Sequence, residues 1–415
     1  MSSRHASRPT PLRWTAGVLP LAMAFLCCGC GGGGEQTEAG SGAGAAGESG
    51  LLELVLTPQI SGTTALLQAV SPVSEDVVWV SGHEGTWVRS VDGGATWSAY
   101  VMAGEETLQF RDVEAFDDAT AYLMSAGSGE LSRIYRTDDG GEGWTLQYTA
   151  THPDAFLDCM AFWDRDRGLV YGDAVDGVPF LLSTEDGGAT WTRVPAEALP
   201  AAPEGEGGFA ASGTCLVTGP EGKAWVAMGN GERARTLRTS DWGGSWEVVD
   251  VPVVGGTGAG LTTIRMDAAG RRGVALGGVI GGDTLRTENV AVTEDGGASW
   301  APGGAPAMAG PIYGSALVAA PGGQGGEQAR AGDEASRIPG GAAGTDLAAR
   351  PGAGPETQPS PIVVAVGPGG MDWSTDLGRS WVSADTLTYW AVAFASPARG
   401  WAVGPGGRIV GLALR

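Results

Sequence analysis

Short apolar runs rich in β-branched and aromatic residues, each bounded by turn formers, recur along the chain from residue 66 to its end. Residues 66–70, 77–81, 86–90 and 96–101 make a first group of four, each run the length of a short strand. Further groups begin near Leu108, Phe156, Phe209, Leu261 and Pro311. A last group, residues 390–395, 400–403 and 408–414, stops one run short of four. The missing run stands at the other end of the chain, where residues 51–57 read Leu-Leu-Glu-Leu-Val-Leu-Thr and belong to no other group. Strands from both ends of the chain would close one ring and leave no exposed sheet edge. Six full groups and one shared group predict an all-β, seven-bladed β-propeller closed by an N-terminal strand in the last blade. A six-bladed ring is the competing count.

A second pattern lies over the first. Residues 90–97, Ser-Val-Asp-Gly-Gly-Ala-Thr-Trp, are written again at 137–144, 184–191, 239–246, 293–300 and 374–381, each as Ser/Thr-x-Asp-x-Gly-x-x-Trp. This is the Asp-box (BNR) signature. Its aspartates, Asp92, Asp139, Asp186, Asp241, Asp295 and Asp376, stand 47, 47, 55, 54 and 81 residues apart, the period of propeller blades. The last interval is long because residues 322–360 are a run of Gly, Ala, Pro, Glu and Gln without periodic apolar positions, read as a disordered insert in blade 6. The box falls in the turn between third and fourth strands. Gly94 and its counterparts supply a positive φ there. The Asp carboxylate accepts amide N–H groups of its own turn, with the Ser90 or Thr137 hydroxyl as an added partner. Trp97 is placed to bury its ring between blades. The six aspartates are therefore expected to be structural, not catalytic.

Composition narrows the function classes. With 25 Lys+Arg against 47 Asp+Glu the formal net charge is −22, which repels phosphate backbones and excludes nucleic acid as a partner. The 72 glycines suit many tight turns and flexible tracts. Residues 1–30 read as an export signal: Arg4, Arg8 and Arg13, then an apolar run over 14–26 too short to span a bilayer. Gly29-Cys30 resembles a bacterial lipoprotein cleavage site, so acylation is expected at Cys30, with Cys28 the alternative. Residues 31–50 form a flexible Gly/Ala/Ser tether, and residues 51–415 form the propeller. The protein is thus expected to face the periplasm or cell exterior, touching membrane through a lipid anchor only. Cys159 and Cys215 are open to one disulfide in such a compartment. They do not align in register between their repeats, so two separate buried thiols are expected. His5, His83 and His152 assemble no zinc spacing, the Asp-Gly-Gly turns lack the ligand alternation of calcium loops, and neither metal nor cofactor is expected. Asp164-Arg165-Asp166-Arg167 is read as a solvated turn.

Asp boxes occur in sialidases, xyloglucan-cleaving enzymes, sortilin-type receptors and photosystem II assembly-factor-like proteins. The chain most resembles the last group, over nearly all of residues 60–415 outside the insert. The resemblance is carried by residues 156–164, Phe-Leu-Asp-Cys-Met-Ala-Phe-Trp-Asp, and residues 172–177, Gly-Asp-Ala-Val-Asp-Gly. Residues 110–113, Phe-Arg-Asp-Val, residues 211–214, Ala-Ser-Gly-Thr, and residues 400–404, Gly-Trp-Ala-Val-Gly, carry it further. It implies a seven-bladed propeller that binds a partner protein during membrane-complex assembly. This chain differs from that family in its predicted anchor and its acidity. A carbohydrate-active enzyme, sialidase-like or another glycoside hydrolase acting on a glycan, is the alternative. Only Ser336-Arg337-Ile338-Pro339 approaches a sialidase motif, and it falls in the insert. Residues 256–260, Gly-Thr-Gly-Ala-Gly, lack the spacing and strand–helix setting of a dinucleotide fold and read as a loop between blades.

In a four-stranded blade the first-to-second and third-to-fourth turns share one face. The second-to-third loops and the links between blades share the other. Arg111, Asp112, Asp158, Asp173, Asp176, Ser212, Arg286, Glu288, Tyr313 and Asp372 all fall at or near the second group. They are expected to gather opposite the boxes, around the mouth of the central channel, where loops on a rigid scaffold bind ligands. Asp158 and Asp173 interrupt apolar strand ends and lead the candidates, with Arg111 as their countercharge. A protein partner at the cell envelope is expected to bind there.

Overall fold

The computed structural model describes residues 52–286, 288–320 and 360–415. The expected signal, the tether and Cys30 lie outside the described residues, as does all of the expected insert except Ser360. The described residues form seven four-stranded antiparallel sheets. Blade 1 consists of Leu67–Pro72, Val78–Gly82, Thr86–Ser90 and Ser98–Val101. The inner strands of successive blades are Leu67–Pro72, Phe110–Ala115, Leu157–Phe162, Leu216–Thr218, Ala259–Met266, Gly314–Val318 and Ala391–Ser396. Each contacts the next and the last contacts the first, so the ring closes at seven.

Closure uses both ends of the chain. Blade 7 runs Ala391–Ser396, Arg399–Gly404, Arg408–Leu414, with Leu54–Ile60 as its fourth strand. Leu54 stands opposite Leu414 and Ile60 opposite Arg408. The strand lies at 54–60, displaced toward the C-terminus from the predicted 51–57. Alternation explains where it sits: Leu52, Leu54 and Leu56 point the same way and pack with Trp373 and Ala384 of blade 6. Pro58 fits an outermost strand, which has no further neighbour to donate to.

The six recurring turns all join third to fourth strands and repeat one hydrogen-bond scheme. The leading Ser or Thr hydroxyl donates to the Asp Oδ1 at 2.7–2.9 Å. The same hydroxyl oxygen accepts the Gly amide two residues past the Asp at 2.8–3.2 Å. The amide four residues past the Asp donates to Oδ1 at 2.8–3.0 Å. Gly94 sits at φ 80°, as the turn requires. These donors hold the carboxyls below the usual carboxylate range, chiefly the hydroxyl four residues on for Asp92, Asp186, Asp241 and Asp295. Asp295 is brought to about 2. The tryptophan that ends each turn packs on the preceding blade. Trp97 Nε1 donates to Gln59 of blade 7 at 3.1 Å, and Trp144 lies 5.5 and 6.2 Å from Trp87 and Trp79 of blade 1.

Two expectations need correcting. Cys159 and Cys215 are not separate thiols: they form a disulfide with Cα atoms 5.8 Å apart. Repeat register is the wrong guide, because side-by-side inner strands set the distance and blade 4 starts late. Its inner strand opens at Leu216, not near Phe209. The residues between belong to a segment that leaves the ring. The Asp164–Arg167 turn is also more than solvated, since Arg167 grips Asp164 Oδ2 at 2.6 Å and lies 3.6 Å over the Trp242 ring.

Candidate functional site

The segment 206–214, Glu-Gly-Gly-Phe-Ala-Ala-Ser-Gly-Thr, links blades 3 and 4 by way of the ring axis. At its start Gly207 exchanges two backbone hydrogen bonds with Gly229 at 3.1 and 2.8 Å, and Glu206 is paired with Arg235 at 2.5 Å. Midway, the Ala210 carbonyl accepts from Gln68 Nε2 of blade 1 at 2.8 Å and from Arg111 of blade 2 at 3.5 Å. Further on, Ser212 Oγ donates to the Tyr313 carbonyl at the start of blade 6 at 2.8 Å. A hydroxyl chain continues inward from Ser212 through Thr214 and Thr263 to Ser315 at 2.6, 2.7 and 2.8 Å, across blades 4, 5 and 6. The segment therefore plugs the mouth opposite the six turns. The disulfide fastens its far end.

Small residues are required because side chains from the ring reach under it. A Cβ on Gly207 would stand 1.9 Å from Asp173 Oδ1, and one on Gly208 2.4 Å from Asp158 Oδ2. Asp173 Oδ1 accepts the Gly208 amide at 3.0 Å. Asp158 is 1% exposed and its Oδ2 has no hydrogen-bond partner. Burial raises its carboxyl well above the ordinary value, and the Asp173 charge adds to this against Arg111. Burial also raises Asp173. Arg111 is half-buried, braced by Gln109 at 3.0 Å and set 5.9 Å over the Phe156 ring. His83 meets Gln68 Oε1 at 2.6 Å. Burial and then the Arg111 charge lower it to about 4, so it is neutral at neutral pH. Across the mouth, Tyr313 and Trp390 stack with ring centroids 4.4 Å apart.

The structure thus brings Arg111, Asp158, Asp173, Ser212 and Tyr313 together around the plug. Asp112 lies beneath it and ties blades, its carboxylate taking the Val113 amide at 2.7 Å and the Met160 amide at 2.6 Å. Asp176 and Arg286 do not join the cluster; they are exposed on the second-to-third loops of blades 3 and 5, as is Glu288. Asp372 is on a third strand, holding the Met308 amide at 2.7 Å between blades. Gln68, His83, Gln109, Phe209 and Trp390 escaped the sequence reading. The interval from Asp186 to Asp241, 55 residues, does not mark the plug, because the next interval is 54 residues without one.

Asp158 yields a pH prediction. Its folded carboxyl holds a proton above about pH 4, where an unfolded aspartate has ionised, so it favours the fold less as pH rises toward and through the folded value. Asp158→Asn should raise the Tm at pH 7 by about 2–4 °C and lessen the fall in Tm between pH 5 and pH 7, read by calorimetry. A lower Tm at every pH would mean that Arg111 needs the carboxylate.

No protein-family model matches the chain, and no curated protein matches it. Among solved structures it is similar to YCF48 bound to a D1 peptide, at 16% identity over 87% of this chain and 96% of that one, with a TM-score of 0.53. It is similar also to YCF48 from Cyanidioschyzon merolae, at 15% identity over 86% and 98%, with a TM-score of 0.53. At these identities the likeness shows the fold.

Proposed function

We propose that this protein is an exported, lipid-anchored propeller of the Asp-box type that binds a partner protein across its plugged mouth, as an assembly module. The observation that carries the reading is the plug itself. By crossing the axis it turns a channel opening into a continuous surface with half-buried polar and aromatic side chains, which suits a docked chain better than a small molecule drawn into a tunnel. The likeness to YCF48, seen in one structure bound to a D1 peptide, supports a protein or peptide partner. The basic and apolar start of the chain, with Gly29-Cys30 after it, supports export and acylation at Cys30. A glycosidase needs two reachable carboxylates about 5–9.5 Å apart. Asp158 lies beneath Gly208 and is 1% exposed, so this pair lends that alternative nothing.

Affinity capture of the full chain from its own membrane fraction tests the reading. Asp158→Ala/Asp173→Ala, which removes what the plug rests on, should deplete the captured partners several-fold. Arg165→Ala, on the opposite face, should not. Identical partner sets from all three proteins, or recovery of the bait in the soluble fraction alone, would overturn the placement or the anchor respectively.

A further inference from the structure

The outermost strand of blade 7 outruns its neighbour. Leu54, Leu56, Pro58 and Ile60 share one face of that strand, and Leu54 and Leu56 pack against blade 6. The fourth strand of blade 6 ends at Asp385, and the chain then turns in toward Tyr389 and the next inner strand. Pro58 and Ile60 stay exposed. At 89%, Ile60 is the most exposed large apolar side chain among the described residues. The gap between the two blades is a groove of about 880 Å³ on the mouth face. Pro58, Ile60 and Leu387 give it apolar walls, and Asp385, Tyr389 and Arg408 supply polar groups.

The two charges in the groove are not equivalent. Asp385 has both oxygens taken: Oδ2 accepts the Tyr389 hydroxyl at 2.5 Å, and Oδ1 accepts the Thr386 and Leu387 amides at 2.6 and 3.2 Å. Arg408 lies 5.6 Å over the Tyr389 ring and donates to the Thr388 carbonyl. A guanidinium has five N–H donors, and among the described residues this one makes no ion pair. Its cross-strand partner, on the same face of the sheet, is Ile60. In a chain with 47 acidic residues, the position best placed to neutralise Arg408 thus holds an exposed isoleucine. A guanidinium with donors to spare in an apolar cleft is suited to fixing an incoming carboxylate. The groove adjoins the plugged mouth, since Trp390 follows Tyr389 and stacks on Tyr313, whose carbonyl holds Ser212.

Resting on the docking reading above, we propose that this groove holds an apolar segment of the partner protein, one Asp or Glu of which pairs with Arg408. The residues flanking that acid lie against Pro58, Ile60 and Leu387. A single acid suits the site better than an acidic run, because the formal charge of −22 repels a strongly acidic partner.

The test pans a display library of random peptides against the full chain and titrates the most enriched peptide, labelled, by anisotropy. That peptide should carry an Asp or Glu between apolar residues. Replacing its acid by Asn or Gln should weaken binding about tenfold, as should Arg408→Met. The two changes together should cost little more than either alone. Ile60→Glu sets an acid directly opposite Arg408, so it should keep or raise the Tm and weaken the peptide about tenfold. Ile60→Leu should bind as the parent does. A library that enriches nothing, enriched peptides without an acid, or binding that neither Arg408→Met nor Ile60→Glu changes would each overturn the proposal. Dimers of the parent that Ile60→Glu dissociates would put a second copy in the groove and overturn it as well. Partners captured from the membrane fraction that Asp158→Ala/Asp173→Ala loses but Ile60→Glu keeps would sink the groove and leave the docking reading standing. An empty capture would sink the docking reading itself.

Discussion

Removing residues 52–60 is expected to abolish the cooperative unfolding of the ring. Leu54–Ile60 pairs along its whole length with Arg408–Leu414, so its loss bares the backbone edge of a strand whose Val410, Leu412 and Leu414 are buried. Leu54, 7% exposed, contributes about 2 kcal/mol by burial alone, and Leu52 and Leu56 add to the same cluster against blade 6. The larger effect is topological. Blade 7 must hold blade 6 and blade 1 together through Ala391–Ser396, which touches the inner strands of both. A three-stranded blade at that junction reopens the ring, and the loss becomes comparable with the whole net stability of a domain, about 5–15 kcal/mol. Thermal melts of a chain starting at residue 61 should show no sharp transition and strong binding of a hydrophobic dye. Adding a peptide of residues 52–60 should restore part of the transition. A truncated chain melting within a few degrees of the parent would mean that the remaining blades close without that strand.

That strand was readable because it is an orphan apolar run in a chain otherwise parsed into fours, and the four-way parsing rests on local chemistry. The hydrogen bonds by which the Ser or Thr hydroxyl and the Asp carboxylate close each recurring turn span four residues or fewer, as from Ser90 to Asp92 and Gly94. A local motif therefore announces its own structure. The candidate site is the opposite case. Gln68 meets the Ala210 carbonyl across 142 residues, and Ser212 meets the Tyr313 carbonyl across 101. No spacing in the sequence encodes a segment that leaves its blade to bond with three others. Topology puts Arg111, Asp158, Asp173, Ser212 and Tyr313 on the face opposite the recurring turns, where the structure has them, because face follows from strand count alone. It scattered Asp176, Arg286 and Asp372 wrongly toward the mouth, because distance from the axis depends on loop length and on which strand carries the residue. Asp112 illustrates a further limit: a buried aspartate at a strand end looks the same in sequence whether it waits for a ligand or, as here, accepts the Val113 and Met160 amides between blades.

The disulfide joins these two halves of the problem, and Cys159→Ala/Cys215→Ala is expected to have the second largest effect. The cross-link closes 56 residues of chain, and the chain-entropy model assigns a loop of that size about 4 kcal/mol. Both half-cystines are fully buried, so small cavities add to the loss. The location adds a functional consequence. Cys159 follows Asp158 on the inner strand of blade 3, and Cys215 follows the plug at Thr214. The bond therefore fixes the end of the segment whose Gly208 lies over Asp158 and whose Ala210 carbonyl receives Gln68 and Arg111. Without it, the plug keeps its Gly207–Gly229 anchor and its Ser212 hydrogen bond, so local loosening should precede global melting. The double alanine variant should show a clearly lower Tm, with amide exchange over residues 208–215 speeding up more than exchange in the blade 1 strands. Non-reducing mass spectrometry of the parent establishes that the bond is present. A parent lacking the bond, or a variant whose Tm and exchange match the oxidised parent, would show that packing alone holds the plug across the axis.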